Sequence, residues 1–266
     1  MLSALIWSST THAAPQEKAY AVTSRPGVEL PFVMAVDEGV KDRNEVKNVL
    51  VLLSGGSGGI RPPEGSTDDV KPGDRGINLS IRGYMAEKLG VAVSVGLPTD
   101  LPKGLPLAWR ETKEHVQDVS AVVEVLMKQY PAARITVLGF SNGTRSASHV
   151  GAAMSKRWGQ KLQGIVLMSP SIEAFRDDWI STLKDEAKVP VLVVHHRRDS
   201  CLWYRDIEGE AKWHTLITVD DPNQPRPTVS RRDCGAGSAH QFSGREKFVY
   251  GAVVEWIRTG KVATPD

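Results

Sequence analysis

The residue in this sequence best placed to do chemistry is a hydroxyl set between two glycines, where an apolar run gives way to a small-residue run. It is Ser141, in Gly139-Phe140-Ser141-Asn142-Gly143. Residues Ala133–Phe140 read as a strand and Asn142–Arg157 as a helix. A tight turn of this kind holds its middle residue in a strained backbone and presents the side chain at the top of a sheet. The flanking positions must be small because strand and helix approach closely there. The hydroxyl also stands at a helix N-terminus, where unpaired N–H groups favour developing negative charge. Serine is equally a common helix N-cap, so the pentapeptide alone decides nothing. A serine nucleophile needs a base, and the base needs an orienting acid. Asp199 follows the apolar run "VPVLVVHH" (Val189–His196), and His240 lies in the small-residue stretch "GAGSAHQFSG" before the last helix. All three sit at strand ends, and the chemistry they would perform together is acyl transfer.

Other acids compete for the orienting role. Glu173, Asp177 and Asp178 follow the next strand but read as the polar start of a helix, where acids suit the dipole; Asp206 is also near. Asp199 is preferred for its place directly after a buried strand, where catalytic groups gather in open α/β sheets. The loop "SGGSGG" (Ser54–Gly59) is rich enough in glycine for several backbone amides to converge on an oxyanion. A phosphate-binding loop would want Gly-Lys-Ser/Thr, which is missing here. Cys201 lies just past Asp199 and Cys234 shortly before His240. In an oxidising compartment the pair suggests a disulfide tying the acid loop to the histidine loop; in a reducing one, two buried thiols.

Arg82 and Arg110 are expected in salt bridges, with a substrate carboxylate as the alternative. Seven tryptophans are many for this length. Gly56, Trp109 and Trp203 are the candidates for substrate contacts, with core packing the other reading of the tryptophans. His195 and His196 are neighbours on a strand, so they face opposite ways and cannot easily share one ion. His115 reads as a packing or partly exposed residue. With no His-Glu-x-x-His or Cys-x-x-Cys spacing, neither a metal nor a cofactor is expected.

The elements that must position these residues alternate. Strands are predicted at Pro31–Val36, Asn48–Ser54, Val91–Leu97, Ala133–Phe140, Leu162–Ser169, Val189–His196 and His214–Val219. Helices are predicted over Asn78–Gly90, Glu111–Gln129, Asn142–Arg157, Glu173–Lys188 and about Arg245–Arg258. In the second of these, Val116, Val119, Val122, Val123 and Leu126 form one apolar face. Near-continuous apolar strands between helices predict an α/β fold: a mostly parallel central sheet with helices on both faces and right-handed crossovers. No long insertion leaves room for a large cap domain.

The sequence resembles the α/β-hydrolase superfamily, and within it the small, cap-poor bacterial esterase or lipase-like serine hydrolases. The resemblance covers nearly the whole chain after about Tyr20 and rests on "LLSGGSGG", "GFSNG", "HHRRDSC" and "SAHQF". It implies Ser141 as nucleophile, Asp199 as acid and His240 as base. It also implies an oxyanion hole made by the amides of Asn142 and Ser57. Many relatives carry His-Gly before the oxyanion residue, where this chain has Gly55-Gly56. The activity implied is hydrolysis of carboxylic esters through an acyl-enzyme. A peptidase or amidase of the same fold, or a binding protein that keeps the fold without catalysis, are the alternatives.

Bulk properties bound the rest. The chain has 266 residues, 41% hydrophobic, with net charge +2 from 33 basic and 31 acidic residues. No broad field points to nucleic acid, and no apolar run is long enough to span a bilayer. The expected partner is a small-molecule ester. The start, "MLSALIWSSTTHAAPQEKA", reads like the end of a secretory signal cleaved near Ala13 or Ala14, although a basic n-region is missing. The expected division is therefore a signal remnant or disordered tail over 1–19 and one α/β-hydrolase domain over 20–266. Export to the periplasm or medium goes with the disulfide, and a cytoplasmic location with free thiols.

Overall fold

The computed structural model describes residues 14–60, 77–170, 179–201, 213–223, 234–235 and 237–262. Strands β1 (Gln16–Arg25), β2 (Val28–Val36), β3 (Asn48–Leu53), β4 (Gly90–Val95), β5 (Arg134–Phe140), β6 (Leu162–Met168), β7 (Val191–His196) and β8 (Thr215–Val219) form one sheet. Its order is β1-β2-β4-β3-β5-β6-β7-β8. The β1–β2 and β2–β4 pairings are antiparallel, and every pairing from β4 to β8 is parallel. Helices α1 (Ile77–Leu89), α2 (Lys113–Gln129), α3 (Gly143–Trp158), α4 (Trp179–Glu186) and α5 (Glu246–Thr259) cover it. This is the mostly parallel α/β architecture that the alternation predicts.

Alternate residues of each strand serve opposite faces, and the core divides accordingly. Val49, Val51 and Leu53 of β3 join Val137 and Ile165 on the side packed by α2 and α3. Leu50 and Leu52 join Leu138 and Val166 on the side packed by α1 and α5. Burial on both sides is why these strands read as unbroken apolar runs. Helix α2 starts at Thr112, whose side chain accepts from the His115 amide, and its buried face holds Val119, Val122, Val123 and Leu126. Helix α3 approaches the sheet closely: a Cβ at Gly151 would stand 2.5 Å from the Ile165 side chain.

The positions outside the predicted elements have physical reasons. β1 is an edge strand with its residues largely exposed or half-buried, so its pattern lacks the apolar density that marks β3 to β7. It starts at Gln16, inside the 1–19 segment expected to be leader or tail; residues 1–13, where most of that expectation falls, lie outside the described residues. The described part of the expected Glu173–Lys188 helix is α4. Glu173, Asp177, Asp178, Trp203 and Asp206 also lie outside the described residues.

One consequence of strand order bears on the site. After β3 the chain crosses to β4 on one side, then returns to β5 on the other. The carboxyl ends of β3 and β5 therefore border a switch point, where α/β sheets open a crevice. Leu53 pairs in register with Gly139, so the loop after β3 and the turn after β5 begin level with one another.

Candidate active site

Ser141 follows β5 directly and has φ of +53°, a left-handed value rare for a residue with a Cβ. Such a backbone costs about 1–2 kcal/mol and persists only where surroundings enforce it. The enforcement is visible in the flanking glycines. A Cβ at Gly139 would stand 2.2 Å from the Gly143 carbonyl oxygen, and one at Gly143 would stand 2.0 Å from that of Leu53. Thr144 holds the turn from inside: its amide (2.9 Å) and hydroxyl (2.6 Å) both donate to the Ser141 carbonyl. The Ser141 amide donates to the Met168 carbonyl at 2.9 Å. Its side chain is partly exposed, at the mouth of a 16-residue helix whose N-terminus favours negative charge.

Asp199 and His240 meet at the carboxyl end of β7. His240 Nδ1 is 2.7 Å from Asp199 Oδ2, with Asp199 fully buried and His240 nearly so. The other carboxylate oxygen accepts the Cys201 amide at 2.9 Å. Cys201 is bridged to Cys234 by a disulfide, and the Gln241 side chain donates to the Cys234 carbonyl at 3.2 Å. The acid and histidine segments are thus joined covalently beside the carboxylate–imidazole pair. Ser169, the residue after β6, adopts φ of +47° and donates from its hydroxyl to the His240 carbonyl at 2.8 Å. Adjacent residues Met168 and Ser169 therefore hold the backbone of Ser141 and that of His240. The Phe140 ring packs against the imidazole at 5.1 Å between centroids. These contacts gather Ser141, Asp199 and His240 at one rim of the sheet.

The loop after β3 lies against the same turn. A Cβ at Gly55 would stand 2.8 Å from the Phe140 carbonyl oxygen and 2.9 Å from Ser141 Cβ, so only glycine lets the main chain pass. Residues 55–58 form a turn closed by the Gly58 amide on the Gly55 carbonyl at 2.9 Å. Gly56 supplies the positive φ (+53°) that this turn needs at its second position, and its Cα faces open space. The carbonyls of Ser54, Gly55, Gly56 and Ser57 are engaged. Leu105 donates its amide to Ser57 (2.8 Å), and the Asn142 side chain donates to Gly56 (3.4 Å). Arg110 takes the rest: Nη1 donates to the Ser54 carbonyl (3.1 Å) and to Ser146 Oγ (3.0 Å), and Nη2 to the Gly56 carbonyl (2.9 Å). Among the described residues, no acceptor is bonded to the backbone amide of Ser57 or of Asn142.

The two arginines part company. Arg82 forms the expected salt bridge, with Glu17 at 2.6 Å. Arg110 does not. It is 1% exposed, pairs with no carboxylate among the described residues, and binds loop carbonyls instead. Burial lowers its guanidinium to about 10, so it stays charged at neutral pH. The Trp109 ring lies under Arg25 at 5.3 Å, which gives it a structural neighbour on one face. Of the histidines, His196 accepts the Arg198 amide on Nδ1 at 3.0 Å and so shapes the turn leading to Asp199. His195 Nε2 lies 3.7 Å from Asp199 Oδ2. Burial pushes His195 down to about 4, which keeps it neutral beside the carboxylate. His115 is buried, held down to about 3 by desolvation first and then by the Arg110 and His149 charges. No group of three or more His, Cys, Asp or Glu among the described residues could hold a metal ion. Ser169 and the grip of Arg110 escape a reading of the sequence, since neither belongs to a spaced motif; the one available signal is a polar residue closing an apolar strand.

No known family model matches the chain, and no curated protein sequence does. Solved structures do. A lidless α/β serine hydrolase from Xanthomonas campestris is 17% identical, with 94% of this chain and 97% of that chain covered at a TM-score of 0.61. An esterase from Pyrococcus furiosus is 16% identical, with 92% of each chain covered at 0.56. An esterase from Butyrivibrio proteoclasticus is 12% identical, with 90% of this chain and 97% of that one covered at 0.59. At these identities the likeness is one of fold.

Proposed function

The chain has the α/β-hydrolase fold, and on that footing we propose that it is a serine hydrolase that cleaves carboxylic esters through an acyl-enzyme. The observation that carries the reading is the buried 2.7 Å contact between Asp199 and His240, at the rim where a left-handed Ser141 projects from its turn. In this reading His240 takes the Ser141 proton as the oxygen attacks the ester carbonyl. The amides of Ser57 and Asn142 receive the oxyanion; donors of this kind each lower a barrier by about 3–4 kcal/mol. Asp199 fixes the tautomer in which Nδ1 carries the proton and Nε2 is free to act as base, and it stabilises the imidazolium that forms. The alkoxide leaves with the proton from His240. Water, activated by the same imidazole, then attacks the acyl-enzyme and releases the acid.

Exposed Gly56, whose Cα faces open space, leaves room for the acyl or alcohol group above the turn. Trp109 and Trp203 remain the proposed aromatic contacts. The Cys201–Cys234 bridge supports an oxidising location, periplasmic or extracellular, and no described helix is long and apolar enough to cross a membrane. Turnover of p-nitrophenyl acyl esters of increasing length tests the function, with Ser141→Ala as control. Hydrolysis that vanishes in the variant is expected. Cleavage of peptide anilides with no ester turnover would point to an amidase instead, and a folded protein inert to both would leave a binding protein.

A further inference from the structure

We propose that Arg110 is a positioning residue that aims the oxyanion-binding amide of Ser57 by clamping the carbonyl of the same peptide unit. The inference rests on the serine-hydrolase reading above. A trans peptide is planar, and its C=O and N–H point in opposite directions. No cis peptide occurs among the described residues. The Gly56 carbonyl and the Ser57 amide belong to one such plane. Because Arg110 Nη2 donates to that carbonyl at 2.9 Å, the Ser57 N–H points away from the guanidinium. Nη1 does the same to the Ser54 carbonyl at 3.1 Å, so the Gly55 amide is turned likewise. Gly55 lies within van der Waals contact of Ser141, which sets the side of the loop on which these amides matter.

The loop needs such a clamp. Glycine-rich backbone has many accessible conformations, and a peptide plane beside a positive-φ glycine can flip with little change in chain path. A donor that swings costs rate in proportion to its misalignment. Arginine suits the task because one planar fork reaches two carbonyls at once, which an ammonium cannot do with fixed geometry. Its burial without a carboxylate partner among the described residues is otherwise costly, and an acid at hand would draw the guanidinium off the carbonyls. Arg110 is itself held at the level of its backbone. It belongs to a short 3-10 turn, Ala108–Glu111, braced by Trp109 beneath Arg25, and Arg25 is tied to Asp118 at 2.8 Å and Asp100 at 2.9 Å.

The test uses the full chain, with Arg110→Lys, Arg110→Ala and Ser146→Ala, the last removing the hydroxyl that seats the guanidinium. In Arg110→Ala and Arg110→Lys, kcat on p-nitrophenyl acetate should fall about 10- to 100-fold with KM little changed, since a misaimed donor weakens the transition state alone. A trifluoromethyl ketone, which becomes an oxyanion on Ser141, should lose affinity by a similar factor, while inhibition by acetate as product stays put. Added guanidinium should restore part of the kcat of Arg110→Ala. If Arg110→Ala does not fold, Arg110→Lys and Ser146→Ala carry the measurement. Wild-type kcat and ketone affinity in folded Arg110→Lys and Arg110→Ala would overturn the clamp and leave the hydrolase reading intact. A wild-type protein without ester turnover or ketone binding would overturn that reading and the clamp with it.

Discussion

Asp199 receives the Cys201 amide on one oxygen and holds His240 Nδ1 on the other, with His195 3.7 Å from that second oxygen. Of the two imidazoles, His240 at 2.7 Å is within hydrogen-bond distance and His195 at 3.7 Å is not; burial keeps His195 neutral, so it does not compete as a cation. In the proposed mechanism the role of Asp199 is therefore tautomer control. Replacing it with asparagine, which is nearly the same shape, should keep the fold and lower kcat by about 10⁴-fold, as an amide favours the wrong imidazole tautomer. Steady-state rates with a thermal melt in parallel check this, and a loss under tenfold would remove Asp199 from the chemistry. Ser141 and Asp199 were open to a reading of the sequence because each is a polar residue just past an apolar run, and His240 because it lies in a small-residue stretch before the last helix. Arg110 was not. An isolated arginine says nothing of which carbonyls fold back onto it, and the expectation of a salt bridge fails because its partners are backbone atoms.

At the scale of elements, the turn after β5 depends on how closely α3 and β3 approach it. A methyl group on Gly143 would meet the Leu53 carbonyl oxygen at 2.0 Å, closer than any real contact. Gly143→Ala should therefore push the β3 end from the turn, lower stability by about 1–3 kcal/mol and spoil the aim of the loop beyond it. Denaturant melts and ester turnover check both effects; unchanged stability would mean that the turn yields to the added methyl group. By contrast Gly27, with φ of +72° and nothing near its Cα, should tolerate alanine with only backbone strain. Strands β3 to β7 were legible because burial on both faces leaves an unbroken apolar record. β1 was not, since an edge strand carries polar residues on its open side. The 3-10 turn that bears Arg110 has no periodicity to read.

For the whole molecule, two features couple stability to conditions. The Cys201–Cys234 bridge closes a loop with a sequence separation of 33. Reducing it, or replacing both cysteines with serine, should lower stability by about 3–4 kcal/mol on a chain-entropy basis. Activity should fall further than unfolding explains, because the bridge spans the acid and histidine segments. Buried histidines set the pH response. His115 and His195 are held down to about 3 and about 4, against 6.5 in an unfolded chain. Above pH 6.5 they are neutral in both states and contribute nothing. Below it the unfolded chain binds protons that the native one refuses, so stability falls as pH drops from about 6.5 toward 4. The slope should be on the order of 1 kcal/mol per pH unit for each group. His115→Leu should flatten that slope in denaturant melts from pH 7 to 4.5, and an unaltered slope would mean His115 is protonated in the native state. The order of strands was not legible in the residues themselves, because crossovers set it and leave no local trace in the residues they join; the meeting of the β3 loop and the β5 turn was expected only through the resemblance to a known fold.

Ester cleavage by this chain requires Ser141 to be an activated nucleophile. Intact-protein and peptide mass spectrometry after exposure to a fluorophosphonate measures this directly. One adduct on Ser141, formed quickly in the native chain and far more slowly in folded His240→Ala, is the expected result. A folded native chain that takes no adduct, or takes it equally fast without His240, would contradict the proposed serine chemistry.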